Sequence, residues 1–236
     1  EVLHLTGIDL NSYKENQMKR RIDTLILKHG IQGYDQYVSA LRTDREVLEE
    51  FVAYITINVS QFYRDPDQWV VMEQKAIPEL IARFGKRLRI WSAACSTGDE
   101  PYSLVMALSR YIPLSNIRVY ATDLDKQVIE QAKEGLYPDK SIATVPADLR
   151  RRYFRQKGDC FEISEEIKAC VEFREHNLLK DVYPTGCHMI VCRNVLIYFT
   201  EEAKDQVFRR YYNSLVSGGL LFIGSSEQIM NHREIG

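Results

Sequence analysis

The apolar positions of this 236-residue chain recur with two different periods, and the change of period divides the sequence. Residues 1–84 repeat apolar side chains at helical spacing, as in Met18, Ile22 and Leu25, with charged residues between them. Such stripes are typical of amphipathic helices that pack against one another. We therefore predict an N-terminal helical domain with its linker over residues 1–84.

From Leu88 onward, short apolar runs alternate with segments of helical period. This alternation predicts a doubly wound α/β fold, a mainly parallel sheet covered by helices, over residues 85–236. Residues 153–175 interrupt the pattern, because Phe161 and Ile163 alternate with polar residues after a Gly-Asp turn. We expect a small antiparallel β insertion there. The predicted strands of the main sheet are 88–92, 117–122, 171–173, 189–192 and 220–224.

Charge and cysteine content narrow the class of protein. The 31 basic and 33 acidic residues give a net charge of −2, which provides no general attraction to nucleic acid. No apolar run has the length of a membrane span. The five cysteines and five histidines are scattered without ligand spacing, so we predict neither a disulfide framework nor a metal site. Free thiols fit a reducing cytoplasm.

The first predicted strand ends in a turn of small residues over positions 93–98, followed by Asp99, Glu100 and a helix that begins near Pro101. In an open α/β sheet, cofactors bind in the crevice beyond the strand ends. Small side chains allow a ligand to approach the backbone. The two acids would repel a phosphate, so the turn favours a ligand with hydroxyl groups or a positive charge.

Two further strand ends carry polar side chains. Asp123 ends the second strand, where a carboxylate suits the hydroxyls of a ribose, although an Asp at this position is also a common helix cap. Asn194 follows a later strand, where its amide suits an adenine edge or simply a turn. The first turn lacks the G-x-G-x-x-G pattern of dinucleotide sites. Together these residues predict an adenosine ligand without phosphates.

Six motifs in order resemble the chemotaxis receptor methyltransferases of the CheR family, which use S-adenosylmethionine to methylate glutamate side chains of chemoreceptors. The segment 58–64, by itself an ordinary interhelical loop, is one of them. The motifs are NVSQFYR at 58–64, SAACSTGDEPYS at 92–103, ATDLD at 121–125, HNLL at 176–179, CRNVLIYF at 192–199 and GGLLFIGSSEQ at 218–228.

The resemblance implies a Rossmann-like class I methyltransferase sheet. The chain ends soon after residues 220–224, so the final antiparallel strand of that fold is expected to be missing. Ser60 stands where members commonly have Thr, and a hydroxyl is kept. Glu100 matches a cofactor contact, which leaves Asp99 as a helix-start residue. The implied contacts with S-adenosylmethionine, and with its product S-adenosylhomocysteine, are Asn58, Ser60, Arg64, Ala94, Glu100, Asp123, Asn177, Leu178, Asn194 and Val195.

A glutamate carboxylate is ionised at neutral pH, so its methylation needs no general base. Catalysis then rests on positioning of the reactants and on exclusion of water. We predict that Arg64 orients the substrate carboxylate or holds that of the cofactor. We predict that Tyr198 faces the sulfonium or the substrate.

The predicted helix over residues 14–28 is basic, and we expect it to dock the acidic helical methylation region of transmembrane chemoreceptors. The alternative is that its basic side chains form an ordinary solvated face. The short loop at 156–160 predicts no tethering to a receptor pentapeptide. We expect a cytoplasmic monomer at chemoreceptor arrays, without membrane insertion or nucleic-acid binding. A nucleic-acid methyltransferase and a non-catalytic adaptor remain as alternatives. The docking residues are Lys14, Lys19, Arg20, Arg21 and Lys28.

Overall fold

The main sheet is parallel throughout, and its strand order is β6-β2-β1-β7-β8 in the computed structural model, which describes residues 1–229. The eight strands are β1 (Ile90–Ala93), β2 (Val119–Asp123), β3 (Leu136–Pro138), β4 (Phe154–Lys157), β5 (Cys160–Ile163), β6 (Val171–Glu175), β7 (Cys187–Cys192) and β8 (Leu215–Ile223). The order reverses direction at β1, so β1, β2 and β7 end at the crevice where such sheets bind ligands.

Helices cover the sheet and also form a separate unit before it. The eleven α-helices of the described residues are α1 (Val2–Thr6), α2 (Glu15–Lys28), α3 (Tyr34–Thr43), α4 (Arg45–Thr56), α5 (Pro66–Val71), α6 (Ile77–Phe84), α7 (Asp99–Leu108), α8 (Lys126–Glu134), α9 (Ala147–Tyr153), α10 (Glu165–Lys168) and α11 (Glu201–Ser214). A single π turn joins α5 to α6 just before Pro78, which has no N–H for the helical ladder.

Successive residues of a strand point to opposite faces of the sheet, so neighbouring side chains pack into two different cores. Ile90 packs with α5, α6 and α7 on one face of the sheet. Trp91 packs with Tyr183 and with Tyr211 of α11 on the other face. Helices α1 to α4 enclose a third core of their own around Leu25, Phe51 and Ile55. The predicted doubly wound α/β fold with an N-terminal helical domain is therefore confirmed.

A small antiparallel sheet with the order β3-β5-β4 is present, as the sequence predicts, but its extent differs from the predicted range of 153–175. The earlier strand β3 pairs with β5, whereas β6 at the end of that range lies in the main sheet beside β2. The predicted main-sheet strand at 171–173 is thus present as β6, so the insertion ends before it. Alternation of apolar residues indicates a strand but not its partner, and the pairing of β3 with β5 was therefore not predicted. Strands β4 and β5 are joined by the short turn at Gly158 and Asp159.

The N-terminal helices are fastened to the sheet by a short antiparallel bridge between Tyr13 and Phe199. The amide N–H of Lys14 donates to the carbonyl of Tyr198 over 2.9 Å, and the N–H of Thr200 donates to Ser12 over 2.9 Å. This bridge brings α2 and the segment before it next to the carboxyl end of β7.

The final antiparallel strand, which the sequence predicts to be missing, would follow residue 229 and lies outside the described residues. Within residues 1–229, no helix combines the length and the apolar character that crossing a membrane requires.

Candidate functional site

One cleft lies at the carboxyl ends of β1, β2 and β7 and is bounded on its open side by the N-terminal helices. All ten residues predicted to contact the cofactor line it, together with Tyr198. The polar and aromatic lining residues are Tyr13, Thr56, Asn58, Ser60, Gln61, Arg64, Ser96, Glu100, Asp123, His176, Asn177, Arg193, Asn194, Tyr198 and Phe199. Apolar side chains that include Ala94, Leu178 and Val195 complete the lining.

The turn after β1 exposes its backbone to the cleft through a strained conformation. Ala94 and Ser96 have φ angles of 60° and 48°, which cost roughly 1–2 kcal/mol for each residue with a side chain. Gly98 has a φ of 87° and cannot be replaced by a residue with a side chain, because a Cβ atom there would lie 2.8 Å from the Cβ atom of Ala132. Only small residues allow the chain to turn here and leave room for a ligand.

Asp123 at the end of β2 holds this turn. Its carboxylate accepts a hydrogen bond from the N–H of Ser96 over 2.7 Å and another from the N–H of Asp125 over 3.0 Å. The side chain is buried, and burial raises the pKa of Asp123 to about 6 despite these two hydrogen bonds. Asp123 also lines the cleft, so its carboxylate can accept further hydrogen bonds from a bound ligand.

Glu100 supplies a second carboxylate, and its side chain is mostly buried. One oxygen accepts a hydrogen bond from Ser92 over 2.9 Å, and the other lies 3.7 Å from the guanidinium of Arg193. Burial raises the pKa of Glu100, and the charge of Arg193 opposes that rise. Asp99, in contrast, is absent from the cleft lining and accepts a hydrogen bond from Thr97 at the start of α7, as a helix-start residue does.

Two buried side-chain oxygen atoms at the cleft have no hydrogen-bond partner within residues 1–229, the Oγ of Ser96 and the Oδ1 of Asn194. Asn194 also has a left-handed φ of 60°. Buried polar groups are nearly always paired, and an unpaired one costs about 1–3 kcal/mol. Both atoms are thus well placed for a polar ligand in the cleft.

Asn58 and Asn177 line the cleft, but their side chains form hydrogen bonds to other residues of the protein. The Asn58 amide donates to Asp125 over 2.7 Å, and the Asn177 amide donates to the carbonyl of Gly7 over 3.0 Å. The Oδ1 of Asn177 accepts from the N–H of Leu179 over 2.9 Å. Both side chains link the N-terminal helical segment to the part of the chain that forms the main sheet.

Arg193 lines the cleft and was not among the residues predicted to form it. Its buried guanidinium donates to the carbonyl of Arg64 over 2.7 Å, to Gln68 over 2.9 Å and to Asp65 over 3.1 Å. It thereby joins the 58–65 segment to Glu100 beneath the cleft. A signal was present in the sequence, because an arginine directly after the apolar strand β7 has to find acidic or carbonyl partners.

Tyr13 and His176 were also missed. The Tyr13 ring meets Phe199 edge-on at 4.9 Å, and burial together with Asp123 raises the pKa of Tyr13 to about 12. The Nδ1 atom of His176 is buried without a partner among the described residues, and burial lowers the pKa of His176, which favours a neutral ring. Tyr13 gave no signal in the sequence, because only the folded chain brings it to β7.

Of the five predicted docking residues, two are engaged within the chain. The Arg21 guanidinium lies 4.3 Å from the centre of the Tyr54 ring and donates to the Tyr54 carbonyl. Lys28 forms an ion pair with Glu50. The other three, Lys14, Lys19 and Arg20, are exposed.

Two family models cover nearly the whole chain. The all-alpha domain of CheR methyltransferases matches residues 2–56, and the SAM-binding domain of CheR methyltransferases matches residues 58–235. The chain belongs to the CheR methyltransferase family. As a CheR protein it is an S-adenosylmethionine-dependent methyltransferase.

Curated relatives of this CheR protein are similar over almost their full length. A chemotaxis protein methyltransferase of Listeria innocua is 43% identical over 230 residues, which covers 98% of this chain and 88% of the relative. Chemotaxis protein methyltransferase 1 of Pseudomonas aeruginosa is 37% identical over 95% of this chain and 86% of its own length. The chemotaxis protein methyltransferase of Salmonella typhimurium is 32% identical over 95% and 80%.

The cleft of this CheR protein fits S-adenosylmethionine. The cofactor has ribose hydroxyls, an adenine edge and positively charged amino and sulfonium groups. The cleft offers two carboxylates, two unpaired polar oxygens and apolar walls at Leu178 and Val195. These groups complement the cofactor in both charge and hydrogen bonding.

We predict that the affinity for S-adenosylhomocysteine falls as the pH drops below about 6. Hydroxyl groups that donate to ionised Asp123 would lower its pKa from about 6, so binding releases a proton and weakens in acid. Calorimetry should show log Kd rising by up to about one per pH unit below that value.

The matched variants for this measurement are Asp123→Asn and Glu134→Gln, the latter an exposed glutamate at the end of α8. The first should lose the slope and the second should keep it. A wild-type affinity that stays flat between about pH 5 and pH 7 would contradict this assignment of Asp123.

Proposed function

We propose that this CheR protein transfers the methyl group of S-adenosylmethionine to glutamate side chains of chemoreceptors. The observation that carries the proposal is the cleft itself, which Glu100, Asp123 and Arg64 line together in a CheR chain. Relatives up to 43% identical are chemotaxis protein methyltransferases, which supports the same substrate class. The product would be a glutamate methyl ester.

For cofactor binding we assign Asp123 to the ribose hydroxyls and Asn194 to the adenine edge. Leu178 and Val195 contribute apolar lining to the cleft for the nucleoside. Glu100 suits the positively charged end of the cofactor, because Ser92 and Arg193 hold its carboxylate in place. The remaining predicted contacts, Asn58, Ser60, Ala94 and Asn177, complete the lining through backbone or side-chain atoms.

When bound, the cofactor supplies an electrophilic methyl group attached to a positively charged sulfur. The chain needs no general base for this chemistry, because a glutamate side chain with a pKa of about 4.3 in water is already ionised. The task of the protein is to align the carboxylate with the methyl group and to exclude water. Tyr13 and Phe199 contribute to that exclusion from the N-terminal side of the cleft.

Arg64 is our candidate for holding the reacting carboxylate. Its guanidinium donates to the Val59 carbonyl over 3.0 Å, and its own carbonyl is anchored by Arg193 and by the indole N–H of Trp69. A guanidinium binds a carboxylate with two parallel hydrogen bonds, which fixes orientation but also stabilises the unreacted anion. We therefore assign Arg64 a positioning contribution, with Tyr198 facing the sulfonium or the substrate.

The proposed function is tested by incubating the purified protein with methyl-labelled S-adenosylmethionine and receptor-containing membranes. The label should appear on receptor protein and should be released as methanol by mild base, as expected for a carboxyl methyl ester. Receptors in which the acceptor glutamates are replaced by alanine are the matched control. Base-stable label, or label on nucleic acid, would overturn the proposal, and absence of transfer with retained cofactor binding would favour the adaptor alternative.

We predict that Arg64→Ala lowers the rate of methyl transfer far more than the affinity for S-adenosylhomocysteine. The physical reason is that the two-point hold on the substrate carboxylate is lost, and charged hydrogen bonds contribute about 1.5–3 kcal/mol each. Single-turnover transfer rates and calorimetric Kd values should be measured on the same preparations.

Arg64→Lys is the matched control, since it keeps the charge without the planar fork, and should recover part of the rate. If Arg64→Ala loses cofactor affinity and transfer in equal proportion, Arg64 belongs to the cofactor instead.

We propose that residues 1–84 form the receptor-docking domain and that residues 85–236 form the catalytic domain. Lys14, Lys19 and Arg20 are the exposed basic residues of α2 and its start, and they complement an acidic helical methylation region. Arg21 and Lys28 have partners within the chain, so we assign them to the stability of the helical domain rather than to docking. Direct docking of this kind would operate at cytoplasmic receptor arrays without a pentapeptide tether.

We predict that the double charge reversal Lys19→Glu/Arg20→Glu raises the KM for a receptor fragment by about tenfold at low salt and leaves kcat unchanged. Attraction between opposite charges is lost, and the difference from wild type should shrink as salt screens it.

The matched control is Lys86→Glu/Arg87→Glu, an adjacent Lys-Arg pair that is equally exposed and precedes β1 at the opposite end of the sheet. Equal effects of both double variants, or a wild-type KM that does not depend on salt, would contradict docking through α2.

A further inference from the structure

The motif at 218–228 has no assigned contact with the cleft, yet it contains a buried acid, Glu227. The Glu227 carboxylate accepts four hydrogen bonds, all from backbone N–H groups. The carboxylate accepts from the N–H groups of Asn194, Val195 and Leu196 over 2.9, 3.0 and 2.8 Å. A fourth bond, of 2.7 Å, comes from the N–H of Gly224. Three of the four donors are consecutive residues of the turn that follows β7.

This turn is the one that presents Asn194 and Val195 to the cleft. Asn194 has a φ of 60°, a conformation that a residue with a side chain adopts only at a cost of roughly 1–2 kcal/mol. Three successive N–H groups directed to one point form an anion nest, and a carboxylate placed there opposes the strain. Without an acceptor, three buried donors would be left unpaired.

Glu227 acts from behind the cleft and not within it. The cleft lining includes Asn194 and Val195 but not Glu227, which faces a separate depression beside Lys14 and Gln228. Gly224 makes the approach possible, because a Cβ atom there would lie 2.8 Å from the Glu227 carboxylate and 3.0 Å from the Asn194 nitrogen. The end of β8 is thus shaped to deliver this carboxylate to the turn after β7.

We propose that Glu227 is a positioning residue for cofactor binding, which holds the 194–196 turn so that Asn194 and Val195 meet the adenosine part of the ligand. The inference rests on the proposed binding of the cofactor in this cleft. It predicts that the charge and the length of the Glu227 side chain set cofactor affinity although the side chain does not line the cleft.

The test compares Glu227→Gln and Glu227→Asp with Glu134→Gln, an exposed glutamate at the end of α8. Glu227→Gln keeps the size but presents an NH₂ group to N–H donors, and Glu227→Asp keeps the charge but is shorter. S-adenosylhomocysteine affinity is measured by calorimetry, and amide hydrogen exchange at residues 194–196 is measured in the ligand-free protein. We expect Glu227→Gln to bind at least about tenfold more weakly, with Glu227→Asp intermediate and the control unchanged.

Exchange at residues 194–196 should accelerate in the Glu227→Gln variant, while strand β1 stays protected. A receptor-fragment KM close to the wild-type value should accompany the raised KM for the cofactor. Unchanged cofactor affinity, or weaker affinity without faster exchange in the turn, would overturn the proposal. If Glu227→Gln does not fold, the same readouts on Glu227→Asp decide. A wild-type protein that fails to bind S-adenosylhomocysteine would instead remove the proposed function.

Discussion

The structure of the cleft depends on two buried carboxylates that each hold the strained turn of a neighbouring strand. Asp123, at the end of β2, accepts the N–H of Ser96 in the turn after β1. Glu227, beyond the end of β8, accepts three N–H groups of the turn after β7. Left-handed residues in these turns cost roughly 1–2 kcal/mol each, and a hydrogen bond to a charged group contributes about 1.5–3 kcal/mol. The three bonds of Glu227 therefore outweigh the strain at Asn194, whereas the single bond of Asp123 offsets part of the strain at Ala94 and Ser96.

The same arrangement determines which ligands the cleft favours. The rise in the pKa of Asp123 from 3.8 to about 6 means that its charge is less stable in the ligand-free cleft than in water, by about 3 kcal/mol. A ligand with hydroxyl groups or a positive charge relieves this cost, whereas a phosphate increases it. Arg193 lies within 3.7 Å of Glu100 and compensates part of its charge, whereas Arg64 forms no ion pair with Glu100 among the described residues and also lines the cleft. A cationic cofactor and an anionic substrate are thus favoured at different positions of one site.

Much of this site was predictable from the sequence, because the deciding features are local. A short apolar run followed by small residues and a helix start predicts the strand, the turn and the side of the sheet on which a ligand binds. Asp123 and Asn194 follow from the same rule applied to two later strands. The CheR resemblance added the cofactor and the segment at 58–64, which the local pattern describes only as a loop.

Other features depended on long-range packing and could not be predicted. Tyr13 reaches the cleft through a bridge to Phe199, and no local pattern signals that contact. The basic periodicity of α2 predicted five docking residues, but contacts with α4 engage Arg21 and Lys28. The extent of the antiparallel insertion was misjudged because local alternation does not reveal that the earlier strand β3 pairs with β5. Glu227 lay within a recognised motif, but its function depends on the distance between two strand ends.

The most direct test of the account is a crystal structure of the protein with S-adenosylhomocysteine. The account predicts the nucleoside in the cleft at the ends of β1, β2 and β7, with the ribose hydroxyls on Asp123 and the adenine edge on Asn194. The thioether sulfur should face the opening between Arg64 and Tyr198, where a glutamate side chain can enter. A nucleoside bound elsewhere, or bound in the cleft with Asp123 directed away from the ribose, would contradict it.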